Sequence, residues 1–108
     1  MKDIHPDVIN LDIMEIASSI SVDNMRAAEQ VVDAIKATFD LLACQPFMGT
    51  LYHPVRTWLK GIRMLPVTPY RNYLVFYRPL SDGAGVRILY VLHAARDISA
   101  FLREHQRQ

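Results

Sequence analysis

The apolar residues change period once along this chain, and that change constrains the fold more than any single motif does. Ala28, Val31, Ile35, Phe39 and Leu42 recur at steps of three or four, which lays one apolar stripe along a helix. Residues 72–78, NYLVFYR, and 86–92, VRILYVL, are instead apolar at nearly every position and rich in β-branched and aromatic side chains. Such runs read as strands that are central in a sheet or covered on both faces. Helices come first and strands second. Segregation of that kind implies an α+β fold: a helical hairpin packed on a small antiparallel β-sheet.

The flanking residues sharpen the boundaries. Ile9, Ile13, Ile16, Ala17 and Ile20 predict an earlier helix over 7–20, with Pro6 suited to its first turn and Asp7 to its dipole. Asp23 is placed to cap the second helix, and Pro46 and Gly49 to end it. So short a link between the helices predicts an antiparallel pair. A strand is expected over 59–67, LKGIRMLPV, demoted by Pro66 to an edge or irregular strand. PLSDGAG between the last two strands is a hairpin turn. A short strand is expected near Ile4 at the start of the chain, and DISAFLREHQ, capped by Asp97, predicts a short C-terminal helix.

With 108 residues, 51% of them hydrophobic and 21% charged, the chain is expected to form a single domain over 1–108 and not to be disordered. Cys44 is the only cysteine, so no internal disulfide can form. No stretch resembles a signal peptide or approaches the roughly 20 apolar residues of a membrane helix, so a soluble, cytoplasmic protein is expected. Charge is uneven. Residues 1–55 hold eight acids against three bases, and residues 56–108 nine bases against three acids. The basic half predicts a surface for an acidic partner or nucleic acid.

His5, His53, His93 and His105 are scattered without ligand spacing, and neither a metal nor a cofactor is expected. Tyr70, Arg71, Tyr73, Tyr77, Arg78, Arg87 and Tyr90 could stack on bases and pair with phosphates, or the aromatics could fill a sheet core. The core is the expectation for Tyr77 and Tyr90, and the arginines remain open.

PFMG at 46–49, LKGIRMLPV at 59–67, YRNYLVFYRP at 70–79 and DGAGVRILYVLHAARD at 82–97 occur in this order. Together they resemble the ParE branch of the RelE/ParE toxin superfamily, over roughly residues 4–102. The resemblance implies a bacterial type II toxin that blocks DNA gyrase and is neutralised, as a hetero-oligomeric complex, by a ParD-like antitoxin. The alternative is the RelE-like activity, ribosome-dependent cleavage of mRNA. A third reading is a relic that only binds antitoxin.

RNA cleavage needs a base, an acid and cations on the phosphate. Here Lys60, Gly61, Ile62 and Arg63 offer few cations at the expected strand, and Phe101 in the terminal helix cannot move a proton. His93 and Arg96 alone make a poor set, so a non-enzymatic toxin with no catalytic residue is expected. Arg63, Arg87, His93, Arg96 and Asp97 are the candidates for target contact and toxicity. His93 is expected to be a packed strand-end residue, Arg96 to present a charge, and Asp97 to cap the last helix. The antitoxin segment is expected to be acidic and amphipathic, in a groove between hairpin and sheet walled by Ile13, Ala17, Val31, Ile35 and Trp58.

Overall fold

A computed structural model of the chain describes residues 3–4, 6–52, 61–81 and 85–94. Seven elements follow one another within them: strand β1 (Asp3–Ile4), helix α1 (Pro6–Ser21), helix α2 (Met25–Cys44), then strands β2 (Thr50–Leu51), β3 (Arg63–Pro66), β4 (Tyr73–Pro79) and β5 (Val86–His93). The sheet order is β1-β5-β4-β3-β2. Four strands are antiparallel neighbours, and β1 adds in parallel to β5 through Asp3 opposite Arg87 and Ile4 opposite Ile88. The two helices pack on one face of this sheet, which is the α+β layering expected from the change of period. The expected C-terminal helix, with its Asp97 cap, falls outside the described residues.

The stripe on α2 is buried throughout: Ala28, Val31, Ile35, Phe39 and Leu42 all face inward. Ile13 and Ile16 of α1 join them, while Ile9 lies among side chains outside the description. These residues meet Val67, Val75, Tyr77, Val86, Ile88 and Val91 in one cluster. Full burial of a side chain such as Ile35 contributes on the order of 1.5–3 kcal/mol. A second cluster, with Ile62, Leu74, Phe76, Leu89, Tyr90 and Leu92, holds the alternate positions of the central strands. Both faces of β4 and β5 are thus buried, which is why their sequences show no polar alternation. Tyr77 and Tyr90 are core residues, as expected.

Three details depart from the sequence reading. The cap of α2 is Asn24, whose Oδ1 accepts from the Ala27 amide at 3.0 Å. The amides of Asp23 and Asn24 both donate to the Ile20 carbonyl, so Asp23 still belongs to the end of α1. The backbone turns extended only at Asn24 (φ −159°, ψ 101°), which is the conformation a cap needs. Strand β3 is not an edge, because the two-residue β2 pairs outside it. Pro66 is tolerated because the Val67 amide bonds to the Tyr73 carbonyl. By antiparallel alternation the Pro66 nitrogen then points away from β4, past the end of β2, where no ladder bond is lost.

The third detail sits in β5. Phe76 pairs with Tyr90 but Tyr77 pairs with Ile88, so Leu89 is an extra residue, a β-bulge. The bulge shifts the alternation by one. Val86, Ile88 and Val91 all face the helices, whereas Leu89, Tyr90 and Leu92 face away.

Candidate functional site

Two constructions in the fold gather the side chains that the sequence singles out. The first explains PFMG and GIR. Gly61 has φ +85°, a left-handed conformation that glycine adopts without cost. Ile62 then drops into the second cluster and Arg63 turns toward the segment after α2. Its Nη1 donates to the Gly49 carbonyl at 2.7 Å and to the Phe47 carbonyl at 3.3 Å. Its guanidinium carbon lies 5.1 Å from the centre of the Phe47 ring, a cation–π contact. The Gly49 amide donates to the Tyr77 hydroxyl at 2.8 Å. A Cβ on residue 49 would sit 2.5 Å from that hydroxyl oxygen, so only glycine allows the approach. Burial pushes the Tyr77 phenol above its ordinary pKa of 10.0, while the Gly49 hydrogen bond and the nearby Arg63 charge pull it part of the way back. Tyr77 is therefore neutral at physiological pH. Arg63 is first a strap that fixes the α2–β2 connection, half-buried and bonded to two carbonyls.

The second construction is a cleft of about 180 Å³ between α1 and the end of β5, lined by Asp12, Glu15, Ile16 and Ser19 from the helix and by Tyr73, Val91, Leu92 and His93 from the sheet. β1 reaches along β5 only to Ile88, and beyond it the helix takes over the edge. Asp12 accepts a hydrogen bond from the Val91 amide at 3.3 Å. His93 is exposed at the mouth, its ring edge-on to Tyr73 with centroids 5.1 Å apart. The bulge at Leu89 puts it there. Regular alternation from Ile88 would have sent His93 to the opposite face. His93 ends β5 with its ring against Tyr73 and open to solvent, so it stands at the strand end as expected but is not enclosed by packing.

The other candidates are placed as follows. Arg87 lies in β5 opposite Arg78 of β4, half-exposed and on the face away from the hairpin. Arg96, Asp97 and Trp58 fall outside the described residues. Ile13, Val31 and Ile35 do not wall a groove: they are buried where hairpin meets sheet, and that interface is closed core. A partner of the folded chain cannot reach them, because opening a close-packed core forfeits its contacts. Ala17 is half-buried and turns instead to the outer side of the hairpin.

Asp12 and Glu15 were not singled out from the sequence, and Tyr73 was named there only among the residues that could stack on bases or fill the sheet core. Asp12 and Glu15 stand one turn and one residue before Ile16 on the same helix, a spacing that marks carboxylates at the margin of an apolar stripe. Nothing in the chain order says that the margin faces the end of a strand about 80 residues later.

The family model described as the ParE toxin of the type II toxin-antitoxin system, parDE, matches residues 9–98, which span both constructions and all the described elements except β1 and the first residues of α1. No curated protein sequence matches the chain.

Proposed function

The chain belongs to the ParE toxin family of type II toxin–antitoxin systems, and on that premise we propose that it acts by binding DNA gyrase, without catalysis, and is neutralised by a ParD-like antitoxin. The family implies an antitoxin partner. Among the described residues no helix is long and apolar enough to cross a membrane. Gyrase works on the chromosome, so the place of action in this reading is the cytoplasm.

The observation that carries the binding reading is the company His93 keeps. Its cleft is lined by Asp12 and Glu15. Ribonuclease chemistry at His93 would bring an RNA phosphate against two carboxylates, where it needs cations. Arg63, the cation of the strand that the ribonuclease pattern would use, is bonded to the Phe47 and Gly49 carbonyls two strands away from β5. A surface that binds an enzyme needs no proton shuttle. Arg78 and Arg87 on the outer face add positive charge, which speeds encounter with an acidic enzyme–DNA complex. In the same reading the acidic antitoxin segment lies against the sheet half of the molecule. There Phe47, Met48 and Leu51 are exposed apolar anchors beside Arg63.

The test runs purified chain with gyrase and supercoiled plasmid beside programmed ribosomes with mRNA. Cleaved or unsupercoiled plasmid with intact mRNA supports gyrase binding, and antitoxin should reverse it. Codon-specific mRNA cuts with unaffected gyrase overturn it. His93→Gln separates the two chemistries: inhibition by binding falls modestly, whereas acid–base cleavage falls by roughly a hundredfold or more.

A further inference from the structure

The outer side of the helical hairpin carries an open apolar trough of about 380 Å³. Ala17 of α1 and Ala28 of α2 form its floor, because small side chains leave the space between the helices unfilled. Met14 precedes Ala17 by three residues and Met25 precedes Ala28 by three, so each stands beside its alanine on the helix surface. The helices run antiparallel, so the two methionines bracket the floor from opposite ends. Met14 is 62% exposed and Met25 69%, whereas Met64 is half-buried against the second cluster. Charge does not set the character of this face. Glu29 and Asp33 line the trough, but Arg26 and Lys36 are exposed one turn from them on α2. The apolar floor and the two thioethers set it.

A thioether has no proton to lose, so access to its sulfur, and not ionisation, governs its reaction with peroxide. We propose that Met14 and Met25 together form a reversible oxidation switch on this face. Each reaction is a two-electron oxygen transfer. The O–O bond of hydrogen peroxide breaks, one oxygen bonds to Sδ as a sulfoxide, and the other leaves as water. The product is a polar side chain in place of an apolar one. Inside a core that change disrupts packing. Here both side chains point outward, so the chain stays folded and only its outer face changes. Sulfoxides at both ends of a floor built from two alanines leave no apolar path across it, and an apolar contact made there is weakened. Methionine sulfoxide reductases return the sulfoxide to the thioether, which makes the change a switch and not a lesion. Met48 is also exposed, at 45%, but it lines a separate groove between α2 and β3, so its oxidation leaves the trough as it was. The inference stands whether or not gyrase is the target.

The experiment treats the folded chain with hydrogen peroxide and maps added oxygen by peptide mass spectrometry. Cys44, an exposed thiol, is replaced by serine throughout so that only thioethers respond. Met14 and Met25 should oxidise at least about tenfold faster than Met64, in step with their exposure. Fluorescence of the apolar dye ANS should fall at least about twofold on oxidation and recover after treatment with the reductases, with the melting temperature unchanged. Met14→Leu/Met25→Leu should bind the dye as the parent does and lose the response to peroxide. Met48→Leu should keep that response. Oxidation of Met14 and Met25 no faster than of Met64 overturns the inference, as does a chain that binds no dye before oxidation. So does a dye signal that peroxide leaves unchanged, or one that falls equally in Met14→Leu/Met25→Leu. A lowered melting temperature on oxidation of the parent also overturns it, because the fold and not the face has then responded.

Discussion

Replacing Gly49 by alanine tests the junction that ties the helical hairpin to the sheet. The added Cβ would lie 2.5 Å from the Tyr77 hydroxyl oxygen, 2.7 Å from its Cε1 and 3.0 Å from the Met64 carbonyl oxygen. Neither neighbour can retreat cheaply. The Tyr77 ring is fully buried, and Met64 is held in the ladder between Thr50 and Phe76. The backbone at residue 49 must move instead. That stretches the 2.8 Å bond from its amide to Tyr77 and the 2.7 Å bond from Arg63 to its carbonyl. Leaving the buried amide unpaired costs about 1–3 kcal/mol, and overpacking adds about 1–3 kcal/mol. The expected loss is roughly 3 kcal/mol, or a drop in melting temperature on the order of 12 °C or more for a domain of this size. Circular dichroism melts and urea unfolding of the parent, Gly49→Ala, Tyr77→Phe and the double variant measure it. Tyr77→Phe alone should cost about 1–3 kcal/mol through the orphaned amide. The double variant should lose less than the sum, since the hydroxyl clash is gone but the Cε1 contact remains. A Gly49→Ala protein that melts within about 2 °C of the parent, with an unchanged urea slope, would refute the close-approach account.

Asn24→Ala should destabilise by about 1 kcal/mol, whereas Asp23→Ala should change the melting temperature little, because only Asn24 caps α2. Gly61→Ala should cost about 1–2 kcal/mol through its φ of +85° alone, since nothing lies within 4 Å of the added Cβ; Gly61→Asn should recover part of that loss. The raised pKa of Tyr77 has a definite sign: the neutral phenol is favoured by the fold, so its contribution is intact below pH 10 and is lost as pH rises through the higher folded value. Melting temperatures between pH 9 and 11.5 should therefore fall less steeply in Tyr77→Phe than in the parent, and parallel slopes would show that burial of this phenol carries no linkage.

Periodicity and turn chemistry determined the elements. The stripe on α2 and the unbroken apolar runs of β4 and β5 are local patterns, and each was legible because burial of one helix face, or of both strand faces, selects residues position by position. Family membership was legible for a similar reason: PFMG, GIR and the run ending in HAARD are adjacent residues. The structure explains their wording, with Gly49 under Tyr77, Gly61 in a left-handed turn and Arg63 strapping the carbonyls between them. Other features depend on where distant segments meet. The bulge at Leu89 decides which face His93 takes, yet VRILYVLH is equally apolar on either register. β2 is too short to show a pattern, yet it covers β3 at Arg63 and Met64 and stops short of Pro66. Asp12 faces Val91 only because α1 covers β5 where β1 ends. Ile13, Val31 and Ile35 look the same in the sequence whether a stripe meets its own sheet or a partner's helix. The tertiary fold buries them against its own sheet and leaves Met14 and Met25 outside, because a helix hides one face and a hairpin of two helices still keeps an outer side.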